Sequence, residues 1–381
     1  MRSFYEFFAG GGMALAGLGE GWQCLLANDF DHKKAETYRR NWGDDHLIVD
    51  DIRNIAPEDM PGEPDMVWGS FPCQDLSLAG EGAGLRGDRS GTFWPFIHHI
   101  QALRDEGRAP RIIALENVLG TLTSHKGADF TAICEALSSL GYRYGAIVAD
   151  AVHFVPQSRP RLFIIAVRAD VTVPPMAICE APKAPWHPTS LKNAFGRLPG
   201  VLQNDWLWWS MPTPPRRKTK FADFVEDTPT STKWHSASET TTLLSMMSEV
   251  NLAKVETAKA AGVKMVGTIY KRTRHEHGIK VQRAEIRFDE IAGCLRTPAG
   301  GSSRQLIMVV EGKKIRSRLI STRETARLMG LPDTYALPAR YNEAYHLTGD
   351  GVVVPVVRYI AKHLFEKLIS ETALAQSRVR A

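Results

Sequence analysis

Cysteine is scarce in this chain and shows no pairing pattern. The five thiols (Cys24, Cys73, Cys134, Cys179, Cys294) are odd in number, widely spaced, and include no Cys-x-x-Cys. That argues against a disulfide framework and a structural zinc site, and it fits a reducing compartment. Long hydrophobic runs are missing too, and none has the length a membrane span needs. The first twelve residues hold one basic residue, then Glu6 and three glycines, which does not make a signal peptide. A cytoplasmic protein with no membrane partner is therefore expected. A large excess of one charge is also absent, because a net charge of +5 permits an acidic partner without demanding one. The 381 residues suffice for two domains, or one large domain with an insertion, and 44% apolar and 23% charged content are ordinary for a globular chain.

What is present is an alternation of strands and helices with polar residues at the strand ends. Residues 3–8 read as a strand, Gly10-Gly11-Gly12 as a turn and residues 13–18 as a helix, the opening of a nucleotide-binding βαβ unit. A second strand, 22–27, ends in Asn28-Asp29, where an acid commonly accepts from ribose hydroxyls, and Phe30 beside it offers a ring to a purine. A third strand, 47–49, delivers Asp50, Asp51 and Ile52. Each acid alone reads as a solvated loop residue; their recurrence at successive strand ends points to one crevice.

Residues 66–68 make a short buried strand, stopped by Gly69-Ser70 and followed by Phe71-Pro72-Cys73-Gln74-Asp75-Leu76-Ser77. A thiol at that position stands where open α/β sheets place their chemistry, or else is a small buried hydrophobe. A helix at 93–104 and a strand at 111–115 follow, and the strand delivers Glu116-Asn117-Val118 to the same edge. A helix at 130–140 precedes a strand pair, 144–152 and 161–167, joined through Gln157-Ser158-Arg159-Pro160. The pattern predicts a mostly parallel, doubly wound α/β domain.

Near residue 169 prolines break the alternation, and few elements can be placed before residue 307. This stretch contains Trp206, Trp208 and Trp209, then Arg216-Arg217-Lys218-Thr219-Lys220. Residues 254–287 carry nine Lys or Arg, Arg272 and Arg274 among them, against three acids. Such a run reads as a solvated face or as a phosphate-contacting surface. Ser321 to Glu324 is a capping pattern, opening a helix that Gly330-Leu331-Pro332 stops, and Pro355 opens the last helix.

In this order the motifs resemble those of the DNA cytosine carbon-5 methyltransferases, the S-adenosylmethionine-dependent family of bacterial restriction–modification systems. Phe8-Ala9-Gly10-Gly11-Gly12 is similar to the family's cofactor motif, and Phe71-Pro72-Cys73-Gln74 to its catalytic motif. Glu116-Asn117-Val118 resembles its acid motif, and Gln157-Ser158-Arg159-Pro160-Arg161 its Gln-x-Arg-x-Arg motif. The stretch from Arg323 to Pro332 is similar to the signature that follows the recognition region. Three places depart: Asp29 stands where the family usually has Glu, Gly349-Asp350-Gly351-Val352 replaces Gly-Asn-Ser/Ala-Val, and Arg89-Ser90-Gly91 replaces a tighter Arg-Gly.

The resemblance implies a Rossmann-like methyltransferase fold with a smaller, irregular target-recognition domain. It implies a catalytic and cofactor-binding domain over residues 1–175, target recognition over 176–339, and a C-terminal segment, 340–381, returning to the catalytic domain. The cofactor set is Phe8, Gly10, Gly12, Asp29, Phe30, Asp51, Ile52, Pro72, Asp350 and Val352, with no metal. A Cys73 thiolate would add to carbon-6 of cytosine and so activate carbon-5. Glu116, kept protonated by burial, would serve N3, while Arg161 and Arg159 would hold the base oxygen or order the pocket. The target nucleotide must be flipped out of the duplex. Gln74, Ser77, Arg86, Arg89, Arg216, Arg217, Lys218, Arg272 and Arg274 would contact DNA.

The expected enzyme is a monomer on double-stranded DNA, nucleoid-associated when bound, with a cognate restriction endonuclease acting separately. An RNA methyltransferase of the same family is the alternative, although the Cys-Phe-Thr tripeptide of its tRNA branch is missing. A nicotinamide dehydrogenase would leave the Pro-Cys-Gln and Gln-x-Arg-x-Arg motifs unexplained. A non-enzymatic DNA-binding protein would not need Cys73, Glu116 and Arg161 together. The recognised DNA sequence has no readable code.

Overall fold

Buried apolar runs ended by glycine or polar residues set out the first part of the chain. The computed structural model describes residues 1–72, 90–276, 278–296 and 304–370. The chain forms two compact units. The first holds Met1–Asp150, Pro160–Pro214 and the chain from Val352 on; the second holds Ala151–Arg159 and Pro215–Gly351.

The first unit alternates strands and helices: β1 (Arg2–Phe7), α1 (Met13–Leu18), β2 (Trp22–Asn28), α2 (His32–Trp42), β3 (Leu47–Ile48), β4 (Met66–Gly69), α3 (Phe93–Asp105), β5 (Ile112–Asn117), α4 (Ala128–Ser139), β6 (Tyr142–Asp150) and β7 (Pro160–Arg168). The strands make one sheet in the order β3-β2-β1-β4-β5-β7-β6. All neighbours are parallel except β7, which runs antiparallel to both β5 and β6. β4 and β5 are buried along their whole length, as a sheet covered on both faces requires. Phe93, Phe96, Ile97, Ile100 and Leu103 are the buried stripe that seats α3. Chain order runs outward from β1 to β3 and then jumps back to β4, so the strand order reverses between β1 and β4. In open α/β sheets the carboxyl ends at such a switch point form the ligand crevice.

Two further helices, α5 (Thr189–Arg197) and α6 (Gly200–Asn204), complete this side of the core. Here Trp206 lies edge-on to Phe130 and Tyr144, with ring centroids 6.1 and 6.0 Å away. The backbone comes close enough that a Cβ on Gly145 would sit 1.8 Å from the Leu207 carbonyl oxygen. The tryptophan cluster is therefore packing.

The second unit holds α7 (Ala237–Ser245), α8 (Glu249–Ala260), β8 (Met265–Glu276), β9 (Ile279–Arg287), β10 (Leu306–Glu311), β11 (Lys314–Leu319), α9 (Thr322–Leu328) and α10 (Tyr341–Asp350). Its four strands form an antiparallel sheet in the order β11-β10-β8-β9. Leu243, Met247, Val255, Ile269, Ile286 and Met308 share its core. A fully buried ion pair, Arg318 to Glu324 at 2.6 Å, joins β11 to the capping box of α9. The first unit resumes with α11 (Val354–Ile360), which packs on α1. Among the described residues no helix is long and apolar enough to cross a membrane.

Candidate active site

The turn after β1 is built from left-handed backbone. Phe8, Gly10 and Gly12 have φ of 60°, 57° and 75°. The turn is pinned from below: the Gly10 amide donates to Asp29 Oδ2 at 2.8 Å, and Trp42 Nε1 donates to the Gly11 carbonyl at 2.9 Å. A Cβ on Gly12 would lie 2.4 Å from Trp42 Nε1, whereas one on Gly10 would meet nothing within 4 Å. The turn is thus rigidly backed at Gly12 and bare at Gly10.

Asp29 is buried, and its Oδ1 accepts from the Asp31 amide at 2.8 Å. Burial raises its pKa, opposed by the charge of Lys34 and the two amide hydrogen bonds. Each carboxylate oxygen retains a lone pair for a ligand hydroxyl. Phe30 follows with its side chain 66% exposed. Ile52 is buried, and its carbonyl accepts from His99 Nε2 at 2.8 Å; His99 in turn stacks on Phe7. Asp51 faces Arg53, accepting from Nε at 2.9 Å and Nη2 at 2.7 Å, and that hydrogen bonding holds its carboxyl below the usual range.

At the neighbouring strand ends, Phe71 is buried after β4, Pro72 is half-buried, and the Asn117 amide donates to the Phe71 carbonyl at 3.4 Å. Cys73, Gln74, Ser77, Arg86 and Arg89 lie outside the described residues. Glu116 is the next-to-last residue of β5, with 7% exposure, and its Oε1 is 3.2 Å from Arg161 Nε. The register explains the pairing. Glu116 lies opposite Phe163, and Arg161 is two residues along β7 on the same face. The sequence motif supplied both residues but not their contact.

Gln157 and Arg159 go elsewhere, into the second unit. Gln157 Nε2 donates to the Leu328 carbonyl of α9 at 2.8 Å. Buried Arg159 donates to the carbonyls of Leu295, Gly349 and Gly351 at 2.9, 2.8 and 2.7 Å. It therefore clamps the Gly349-Asp350-Gly351 corner, leaving the Asp350 side chain exposed; Val352 beyond is buried. Sequence reasoning missed this clamp, whose only sequence trace is the pair of glycines that bring bare carbonyls together.

Of the basic residues, Arg216 and Lys218 are exposed, while Arg217 Nε donates to the Val152 carbonyl at 2.9 Å. Arg272 Nε is 3.3 Å from Glu285 Oε2, and Arg274 pairs with the other oxygen of the same carboxylate.

Comparison with known proteins follows the same lines. The C-5 cytosine-specific DNA methylase family matches residues 2–366. The type II methyltransferase M.HpaII of Haemophilus parainfluenzae is 25% identical over 388 residues, which cover 96% of this chain and 90% of that protein. The type II methyltransferase M.HhaI of Haemophilus parahaemolyticus is 24% identical over 369 residues, 96% of this chain and 94% of its own. Among solved structures, the S. pombe Dnmt2 methyltransferase shares the fold, with a TM-score of 0.56 at 18% identity, covering 97% of this chain and 99% of that one. The Rossmann-like sheet, the glycine turn at its switch point and a family match over nearly the whole length lead to one statement: this chain belongs to the C-5 cytosine-specific DNA methylase family.

Proposed function

We propose that the chain transfers a methyl group from S-adenosylmethionine to carbon-5 of a flipped-out cytosine in a specific duplex DNA sequence. We infer that it protects host DNA in a restriction–modification system whose endonuclease acts separately. The observation that carries this reading is the pair of buried Glu116 with half-buried Arg161 on β5 and β7, beside the strand end that leads into Pro72-Cys73.

The donor set around the glycine turn fits an adenosine. Gly10 offers bare backbone, Asp29 has lone pairs for ribose hydroxyls, and the exposed ring of Phe30 suits a purine face. Phe8, Gly12, Asp51, Ile52 and Pro72 would complete the cradle. S-adenosylmethionine, when bound, supplies a methyl group on a positively charged sulfur. Cys73 activates the acceptor: its thiolate adds to carbon-6, the ring electrons shift, and carbon-5 becomes nucleophilic. Glu116 serves N3 with a proton, and the Arg161 guanidinium holds the base oxygen as a fixed donor. A base, for which water suffices, then takes the carbon-5 proton, the Cys73 sulfur leaves as thiolate, and N3 returns its proton to Glu116, restoring the aromatic ring. Extracting the base from the duplex costs roughly a few kcal/mol. Gln74, Ser77, Arg86 and Arg89, which follow Cys73 in the chain, would contact the DNA, the two arginines at phosphates.

The test is incubation with tritium-labelled S-adenosylmethionine and either duplex DNA or tRNA, followed by analysis of the modified base. Label in DNA 5-methylcytosine is expected; label on tRNA alone, or none, overturns the reading. With DNA containing 5-fluorocytosine, where the final elimination is blocked, wild type should form a covalent adduct. An adduct that persists in Cys73→Ser would remove Cys73 as the nucleophile.

A further inference from the structure

The hairpin of β8 and β9 is longer than the sheet that carries it. β10 pairs with β8 only from Met265 to Ile269, so the residues from Lys271 to Glu276, with their β9 partners, continue as a two-stranded ribbon. Directly opposed residues share a face of an antiparallel pair. One face therefore bears Arg272 with Arg283, Arg274 with Val281, and Glu276 with Ile279. Its arginines are already engaged: Arg272 and Arg274 with Glu285, and Arg283 with Glu276.

The other face is different. It begins in the core with Ile269 opposite Ile286, passes Lys271 opposite Ala284, and continues as Thr273 opposite Gln282 and His275 opposite Lys280. Those last four side chains are exposed, and among the described residues none of them makes a hydrogen bond or ion pair. The face contains no carboxylate. From Lys271 to His275 it is about 13 Å long, which spans roughly four base-pair steps at 3.4 Å.

A two-stranded ribbon is one of the shapes the major groove of B-DNA admits. Resting on the reading of the chain as a DNA methyltransferase, we propose that this ribbon enters the major groove with the Thr273–Gln282 face toward the bases. Gln282 supplies a paired donor and acceptor to a base edge, Thr273 a hydroxyl and a methyl, and His275 and Lys280 carry the polar surface to the tip. The arginine face, its three guanidiniums already paired with Glu285 and Glu276, points away from the bases. Arg272 and Arg274 are then ribbon supports, and sequence choice lies with residues the charge count does not single out.

The experiment is bisulfite sequencing of plasmid methylated by wild type and by the Thr273→Ala/Gln282→Ala double variant, with binding measured to the methylated sequence and to an unrelated duplex. Both sites are exposed on the ribbon, so the fold does not depend on them. The expected result is relaxed selection at one or two base pairs, with affinity for the recognised duplex falling about 5- to 150-fold while unrelated DNA is bound as before. An unchanged recognised sequence, or an equal loss on both duplexes, overturns the proposal. Wild type that methylates no DNA sequence would instead refute the underlying reading.

Discussion

Glu6 is the residue in the first unit whose chemistry is most at odds with its surroundings. It sits in β1 beneath the glycine turn, fully buried, and its Oε2 has no hydrogen-bond partner. Burial pushes its carboxyl up to about 8; the amides of Ala14 and Leu15 oppose this, and the charge of Asp29 adds to it. In the unfolded chain the same group titrates near 4.3. Between those values the native state holds a proton that the unfolded state has lost, so stability falls as pH rises from about 5 to about 8 and is level above that. The difference is on the order of 5 kcal/mol at most. Glu6→Gln removes the titration, so urea midpoints of this variant should change much less than those of wild type between pH 5.5 and pH 8.5. Parallel pH dependence in both proteins would assign the effect to other groups. Nothing in the sequence marks Glu6, because a lone acid among aromatics shows neither its burial nor its lack of a partner. Asp29 was legible, since its place after β2 follows from the βαβ pattern alone.

At the scale of elements, the strands that were legible are those with strong punctuation. β2, β4 and β5 end at an Asn-Asp pair, at glycine and at a Glu-Asn pair, β1 stops three residues short of Gly10, and each forms where the sequence places it within a residue or two. α2 escaped notice because only Ala35, Thr37 and Tyr38 of its eleven residues are buried, too few for a clear apolar stripe. The β8–β9 ribbon escaped for a similar reason. A strand exposed on both faces has no alternation of apolar and polar residues to read. The Gln-x-Arg-x-Arg segment was found as a motif, but its three side chains part company, and only long-range partners such as Leu328 and Gly349 decide where each one ends.

The packing of α1 on α11 is equally invisible in sequence and makes a sharp prediction. A Cβ on Gly17 would lie 2.4 Å from Val357 Cβ and 2.9 Å from the Val354 carbonyl oxygen, so backbone would have to move. Alanine normally favours a helix by up to about 1 kcal/mol over glycine. Here Gly17→Ala should instead destabilise the protein by about 1–3 kcal/mol. Chemical denaturation reads this directly, and a neutral or stabilising outcome would mean that α11 is not seated on α1 in solution.

For the whole molecule, the mild net charge of +5 conceals an asymmetry. The second unit carries twenty-four Lys and Arg against fifteen Asp and Glu, a net +9; the remainder carries twenty-three against twenty-seven, a net −4. Nearly all of it lies in the contiguous run 215–351, at net +8, and Ala151–Arg159 adds only Arg159. A unit with that excess attracts a polyanion, and each phosphate it neutralises releases counterions and steepens the salt dependence of binding. The basic cluster from Arg216 to Lys220 does not contribute evenly. Arg216 and Lys218 are exposed, but Arg217 donates to the Val152 carbonyl. Binding to duplex DNA should therefore weaken linearly on a log–log plot against salt. Arg216→Ala and Lys218→Ala should each reduce the slope by about 1 without changing the sequence methylated. Arg217→Ala should leave the slope nearer to wild type and lower the melting temperature, because it removes a hydrogen bond within the second unit. A slope that responds to Arg217 alone would show that the cluster meets DNA through the side chain the fold already holds, and would reassign the roles of all three.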